Sequence, residues 1–166
     1  MTNSNFLRAD ILALAVARHF EKQYGPSVVA SGYAPKFDIG FKNGPKVEVK
    51  FDGSAETSGL AAIEFWDKRR DKATGVLETE ADHWLHCIPE PPGIRCFLVQ
   101  TKKLLRLCFE AGEVAWGGDF CASGLKKIEL LKLKRIAEED FLLSGPLIDF
   151  YLGTKSQNIL WSNENG

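Results

Sequence analysis

Apolar and polar residues alternate on both sides of a short polar break between Lys36 and Asp52, and this pattern predicts a β-hairpin. The apolar positions of the two halves are Phe37, Ile39, Phe41, Val47, Val49 and Phe51. The break, residues 42–44, has the length of a three-residue hairpin loop with Gly44 in the left-handed conformation. Such a loop pairs Phe41 with Pro45, so the sequence predicts two short strands in a defined register.

The predicted register places Asp38 directly opposite Glu48 and puts Lys50 on the same face as Glu48. Like charges opposite each other destabilise a sheet, and burial increases that cost. A hard divalent cation held between the two carboxylates would remove the repulsion, and Lys50 could hold a water or a phosphate oxygen beside the metal. The alternative is a solvated polar face of a two-layer sheet, which any acid-x-lysine strand taken alone also allows.

Helical and strand-like patterns alternate along the rest of the chain. Residues 6–24 carry an apolar stripe at helical spacing, with Asn5 as the N-cap and Gly25-Pro26 as the stop. At its C-terminal end the stripe continues into charged residues, among them Glu21. If this helix packs on the sheet, Glu21 would reach the edge of the face that carries Asp38 and Glu48. Further strands are predicted over residues 60–66, 81–88 and 94–100, a loop over 68–77, a helix from Thr101, its cap, to Gly112, and an edge strand or short helix over 128–134. This order predicts an α/β fold with a mixed sheet.

Length and composition are those of one globular domain. The chain has 166 residues, 45% hydrophobic and 26% charged, so a single domain is expected over 1–161, followed by a flexible tail at 162–166. No apolar run approaches the ~20 residues needed to cross a bilayer, and the start has no cleavage-like site. We therefore expect a cytosolic protein without membrane contact. The four cysteines have no zinc-ribbon spacing, and we expect buried reduced thiols.

The net charge of −1 supplies no global attraction to nucleic acid. A DNA-binding protein with this charge needs local basic clusters. One of several such clusters in the chain comprises Lys68, Arg69, Arg70 and Lys72. The alternative for such a run is an ordinary solvated face.

Asp38, its spacing to Glu48, and the tripeptide Glu48-Val49-Lys50 resemble the catalytic core of the PD-(D/E)XK nuclease superfamily, in particular phage and archaeal Holliday junction resolvase-like members. Residues 57–65 and 80–84 also look like resolvase-type sequences, in which a strand ending in an acid precedes an Ala-Asp-aromatic strand. The proline that names the motif is Phe37 here, at a position that many members also vary.

The resemblance covers roughly residues 10 to 110 and implies a restriction-endonuclease-like three-layer core with a mixed central β-sheet flanked by helices. It implies that Asp38 and Glu48, with the Val49 carbonyl helping, hold Mg²⁺, for which Mn²⁺ can substitute. Lys50 would position the attacking water or stabilise the charge on the phosphate.

Three further acids are candidates for the same site. Many resolvase-like nucleases supply an acid from an N-terminal helix, and Glu21 is the position that matches it. Glu64, on the predicted strand 60–66, is a candidate fourth carboxylate. Asp82 would lie near the site by resemblance, and its alternative role is that of a strand-edge or capping residue.

The resemblance implies metal-dependent hydrolysis of DNA phosphodiester bonds. If it extends to the substrate, the protein is a homodimer that makes paired nicks in branched DNA. One alternative is a nuclease that acts on ordinary duplex DNA or on DNA ends. The other is a catalytically inactive interaction protein on a nuclease-like fold, in which the acids are structural.

Overall fold

The computed structural model of the protein describes residues 4–30, 36–111, 114–117 and 121–153, with side chains from residue 9 onward. The strands are β1 (Ser27–Val29), β2 (Ile39–Phe41), β3 (Lys46–Phe51), β4 (Leu60–Asp67), β5 (Lys72–Ala73), β6 (His83–Glu90), β7 (Gly93–Gln100), β8 (Val114–Gly117), β9 (Ser123–Glu129) and β10 (Glu139–Leu143). The helices are α1 (Ser4–Tyr24), α2 (Ala55–Ser58), α3 (Thr101–Glu110) and α4 (Leu130–Ile136), with a 3-10 turn at Gly75–Leu77. Residues 146–153 are also helical.

Six strands form the central sheet, in the order β1-β2-β3-β6-β7-β10. The pairing of β3 with β6 is parallel, and the other pairings in this sheet are antiparallel. Parallel neighbours need a long connection, and here β4, β5 and the 3-10 turn fill it. The fold is therefore α/β with a mixed central sheet flanked by helices, which confirms the coarse prediction.

Helix α1 covers one face of the central sheet. Val16 and Phe20 of α1 are fully buried, because the alternating apolar side chains of the sheet point toward them. The sheet residues in this cluster include Ile39, Val47, Leu85, Cys87, Cys96 and Leu98. Each large apolar side chain buried in this way contributes about 1.5–3 kcal/mol relative to an exposed one. This packing fixes the hairpin, and therefore the acid pair, against α1.

The opposite face of the central sheet packs against a second sheet, which the sequence did not predict. The second sheet has four strands in the order β5-β4-β9-β8. Trp84 and Val99 of the central sheet share a buried cluster with Ile63 of β4. Helices α3 and α4 close the cluster with Leu104 and Leu133. The second sheet lies next to the face that carries Glu48, so it supplies the second wall of the site.

Three predictions for segments that follow β4 need correction. The predicted loop 68–77 contains β5 and the 3-10 turn, because Trp66 and Asp67 pair with residues 72 and 73. Thr101 is the first residue of α3 and not its cap, and its hydroxyl donates to the Ala81 carbonyl at 2.8 Å. Residues 128–134 are divided between the end of β9 and the start of α4.

The ends of α1 were predicted with unequal success. The helix begins at Ser4, so Asn5 lies inside it and is not its cap. It ends where expected, because Gly25 has a φ of +76° and its N–H donates to the Glu21 carbonyl.

The predicted end of α3 at Gly112 and the predicted tail 162–166 lie outside the described residues. Among the described helices, none combines the length and the apolar character needed to cross a bilayer.

Candidate functional site

The predicted hairpin register is confirmed. Strands β2 and β3 pair Ile39 with Val47, and the Phe41 N–H donates to the Pro45 carbonyl at 3.3 Å. Just before β2, the Asp38 N–H donates to the Val47 carbonyl at 3.0 Å and the Asp38 carboxylate accepts the Val49 N–H at 2.6 Å, so Asp38 lies beside Glu48. Alternation and loop length were sufficient to predict this relationship.

The expected left-handed conformation of Gly44 is wrong. The described glycines with positive φ are Gly25, Gly59, Gly75 and Gly145. Position 44 requires glycine for a different reason, because a Cβ there would lie 2.7 Å from the Cβ of Tyr24 at the end of α1. The hairpin loop therefore packs directly on the helix.

The two acids differ in their surroundings. The Asp38 carboxylate accepts the Val49 N–H at 2.6 Å and is partly buried. The Glu48 side chain is buried, and its Oε1 lies 2.5 Å from the Lys50 Nζ. The Thr79 hydroxyl lies 3.2 Å from Glu48 Oε2 and 3.0 Å from the Lys36 carbonyl oxygen, and it can donate to either. Each acid is thus held in place by a neighbouring strand or loop.

Burial raises the pKa of Glu48, and this effect outweighs the lowering by Lys50, while Asp38 raises it further. Burial alone would lower the pKa of Lys50, but the negative charges of Glu48 and Asp38 reverse the shift, so that the pKa is raised. Lys50 is therefore a stable cation beside two acids, and the ionised form of Glu48 depends on a nearby positive charge.

These groups open into a cleft of about 210 Å³ between the central sheet and the second sheet. Its walls come from β3, β4, β5 and the segment around the 3-10 turn. The described residues that line it are Lys36, Asp38, Glu48, Lys50, Glu64, Arg70, Lys72, Thr74, Gly75, Glu78 and Thr79. All but Gly75 are polar or charged, so the cleft suits a charged ligand better than an apolar one.

The cleft contains two of the four basic residues predicted to contact DNA. Arg70 and Lys72 line it, and Arg70 also lies 3.4 Å from Asp67. Lys68 points elsewhere, with its Nζ 5.5 Å from the ring centroid of Trp116. Arg69 is exposed on the turn, where its N–H donates to Asp67 at 2.9 Å.

Of the three further acids, the structure brings only Glu64 to the cleft. Its Oε1 accepts the Ser123 hydroxyl at 2.8 Å. Among the described residues, neither Glu21 nor Asp82 lines the cleft. The exposed Glu21 carboxylate accepts the Ser27 hydroxyl at 2.9 Å. The Asp82 carboxylate accepts the Lys46 N–H at 2.8 Å, which is the strand-edge role.

Lys36, Glu78 and Thr79 are cleft residues that the sequence reasoning missed. Lys36 reaches the ion pair with Glu78 across 42 positions of the chain, and local periodicity carries no signal over that distance. Asp52 was also missed, although it continues the alternation of Glu48 and Lys50 along the chain. That alternation could have predicted it on the same face.

A second cleft, of about 420 Å³, adjoins the first and shares Lys50 and Glu64 with it. Asp52 lines this cleft next to the fully buried His86, with Oδ2 3.5 Å from His86 Nε2. Burial alone would raise the pKa of Asp52, but the adjacent His86 imidazole and hydrogen bonds from Ala62 and Ser54 outweigh it and hold the pKa well below its usual range. Asp52 is therefore a permanent anion that joins β3 to β4.

The donor set at Asp38 and Glu48 suits a hard cation. Mg²⁺ prefers oxygen ligands, keeps several waters and needs only one or two carboxylates. Within the described part of the chain, no group of three or more His, Cys, Asp or Glu side chains is arranged to hold a metal ion. Asp38 and Glu48 would be the protein ligands of a Mg²⁺ ion at this position, provided that Lys50 moved away from Glu48.

Comparison with known proteins adds no assignment: no family model, no curated protein and no solved structure matches this chain.

Proposed function

We propose that the protein is a Mg²⁺-dependent DNA endonuclease of the PD-(D/E)XK type, and that it acts on branched DNA in the manner of a Holliday junction resolvase. The observation that carries this proposal is the position of Asp38 beside Glu48, with Lys50 in contact with Glu48, in a cleft lined by basic side chains. Two adjacent acids, one of them buried, are costly to a fold, and phosphodiester hydrolysis is a function that uses both acids and the lysine.

Asp38 and Glu48 would hold Mg²⁺, with the Val49 carbonyl as a further candidate ligand and Mn²⁺ as a substitute. When bound, the metal lowers the pKa of a coordinated water and offsets the negative charge that develops on the phosphate. Lys50, once released from Glu48, presents its ammonium to that phosphate as a fixed cation. The Thr79 hydroxyl can still donate a hydrogen bond to the Glu48 carboxylate when Lys50 has moved away.

Basic side chains around the acids support binding of the DNA backbone. Lys36, Arg70 and Lys72 line the same cleft as Asp38 and Glu48. Phosphate contacts position a nucleic acid without reading its sequence, so this set suits recognition of DNA shape. Such recognition is what a branched substrate requires.

Exposed apolar side chains on α3 and α4 support the proposal of a homodimer. Phe109 is 75% exposed and Leu131 is 57% exposed. A second copy that covers them would set two active sites at a fixed distance, as paired nicking requires. Sedimentation equilibrium of the native protein tests this part of the proposal.

Two alternatives share the site. A nuclease for ordinary duplex DNA or for DNA ends would use the same acids and lysine and would differ only in the residues that contact DNA. Binding of DNA without cleavage is favoured by one observation, the ion pair in which Lys50 already neutralises Glu48.

The decisive experiment compares cleavage of a labelled four-way junction and of the matching linear duplex in Mg²⁺, in Mn²⁺ and in excess chelator. We expect metal-dependent nicking of the junction, reduced about 10²–10³-fold in Glu48→Gln. Glu56→Gln, in which an exposed acid of α2 changes, is the matched control and should retain full activity.

Cleavage of both substrates at equal rates would favour the general nuclease. No cleavage by the folded native protein, and no calorimetric difference in Mn²⁺ binding between the native protein and Glu48→Gln, would reject the enzyme and leave a DNA-binding protein.

A further inference from the structure

Glu78 lies between two lysines at the rim of the cleft. Its Oε1 is 3.2 Å from Lys36 Nζ and 3.2 Å from Lys72 Nζ. Both ammonium groups therefore converge on a single oxygen atom. The hydrogen bonds from Lys36 and Lys72 lower the pKa of Glu78, so this carboxylate is ionised at neutral pH.

The backbone holds this arrangement in place. The Glu78 N–H donates to the Gly75 carbonyl at 3.1 Å, and the Thr79 N–H donates to the same carbonyl at 3.0 Å. The Lys36 carbonyl oxygen lies 3.0 Å from the Thr79 hydroxyl and accepts the Glu80 N–H at 2.9 Å. The segment that carries Glu78 is thus tied to the residue whose ammonium it contacts.

Two ammonium groups that meet at one anionic oxygen form a binding site for an anion. Without an anion between them, Lys36 and Lys72 would repel each other, so the Glu78 carboxylate stabilises the pair. All three side chains are partly exposed, which leaves the position open to a ligand from solution. A phosphate oxygen carries the same charge and accepts the same hydrogen bonds.

We propose that Lys36 and Lys72 form a subsite for a DNA phosphate that flanks the one attacked at Asp38 and Glu48, and that Glu78 occupies this subsite until DNA displaces it. The inference rests on the proposed function for the identity of its ligand. The consequence is selectivity for DNA shape. Only DNA that places one phosphate at the acid pair and another between Lys36 and Lys72 can displace the Glu78 carboxylate. A strand whose backbone runs elsewhere gains nothing from the two lysines.

The test measures binding of the labelled four-way junction by fluorescence anisotropy in excess chelator, so that cleavage does not intervene. We expect Glu78→Gln to bind DNA roughly three- to tenfold more tightly, because the internal competitor for two exposed lysines is lost. Lys36→Gln and Lys72→Gln should bind more weakly, and each should reduce the slope of log K against log salt concentration by about 0.9.

Two variants outside the cleft provide matched controls. Glu129 pairs with Lys132 at 2.9 Å on the surface, so Glu129→Gln and Lys132→Gln make the same charge changes there. We expect both controls to bind within about twofold of the native protein. In the double variant Glu78→Gln, Lys72→Gln, most of the increase in DNA affinity caused by Glu78→Gln should be lost. The reason is that only one of the two lysines released by Glu78→Gln is still present.

Equal tightening in Glu78→Gln and Glu129→Gln would show an effect of net charge and would overturn the proposal. Unchanged binding in Glu78→Gln, together with metal-dependent cleavage by the native protein, would overturn the subsite and leave the nuclease intact. Tightening in Glu78→Gln that depends on Lys72, without any cleavage by the native protein, would support the subsite and reject the nuclease.

Discussion

The Glu48 carboxylate lies 2.5 Å from the Lys50 ammonium, two residues further along the same strand. This contact joins two charges that the proposed chemistry needs separately. In the structure each charge neutralises the other, which makes the acid pair tolerable without a metal. Binding of Mg²⁺ to Asp38 and Glu48 would take over the neutralising role and free Lys50 for a phosphate. Under the proposed function, the metal-free and metal-bound arrangements would therefore differ in the position of one lysine.

The first prediction concerns pH. Burial raises the pKa of Glu48 above its ordinary value of 4.5, despite the opposing effect of Lys50. A protonated Glu48 cannot hold a cation, so Mn²⁺ binding and cleavage should fall as the pH is lowered through this raised pKa. Carbon-detected NMR of the side-chain carboxyl groups, with Glu48→Gln for assignment, measures the midpoint. A midpoint at or below 4.5 would contradict the prediction.

The same shift has a consequence for stability. Since the folded protein binds the Glu48 proton more tightly than the unfolded chain does, the contribution of Glu48 to stability falls as the pH rises from 4.5 through the raised pKa. In Glu48→Gln this part of the pH dependence should be absent. Urea denaturation of both proteins across this window checks the sign.

The sequence was sufficient for the hairpin because its geometry is local. Alternation decides which residues share a face, and a three-residue loop decides which residues are paired. The positions of Asp38, Glu48 and Lys50 follow from those two facts. The reason why position 44 requires glycine could not be predicted in this way, because it depends on the contact of the loop with Tyr24 of α1.

The remaining parts of the site depend on contacts between distant segments. Strand β4 was predicted, but its partner β9 was not, and Glu64 meets Ser123 across 59 positions of the chain. The ion pair between Lys36 and Glu78 is equally non-local. For Glu21, helical spacing correctly predicted a position on α1. It could not predict that the Glu21 carboxylate would accept the Ser27 hydroxyl and would not line the cleft.

The second prediction concerns Asp52, whose carboxylate links β3 to α2 and β4. Its Oδ1 accepts from the Ser54 N–H, the Ser54 hydroxyl and the Ala55 N–H, and its Oδ2 accepts from the Ala62 N–H at 2.9 Å. Asp52→Asn replaces one acceptor by a donor and removes the charge. We expect a loss of about 2–4 kcal/mol in the free energy of unfolding at pH 7. Urea denaturation measures it, with the exposed Asp71→Asn as control.

The pH dependence of this loss follows from the low pKa of Asp52. Burial opposes ionisation, but the adjacent His86 imidazole and the hydrogen bonds from Ala62 and Ser54 prevail, so the folded pKa lies below the ordinary value of 3.8. The stabilisation is complete above 3.8 and is lost as the pH falls toward the folded pKa. The difference between the native protein and Asp52→Asn should therefore narrow in acid. A constant difference from pH 7 to pH 2 would show that the charge of Asp52 has no part in it.

The third prediction compares two glycines with similar backbone angles, Gly75 with a φ of +53° and Gly59 with a φ of +69°. A Cβ at Gly75 would overlap the backbone oxygen of Glu64, whereas a Cβ at Gly59 would meet no described atom within 4 Å. Gly59→Ala should cost about 1 kcal/mol from its backbone angle alone, and Gly75→Ala roughly 2–4 kcal/mol, because the cleft wall must also shift. Thermal unfolding measures both costs, and the cleavage assay should show a loss of activity in Gly75→Ala alone. Equal destabilisation in the two variants would mean that φ, and not the contact with Glu64, requires glycine at position 75.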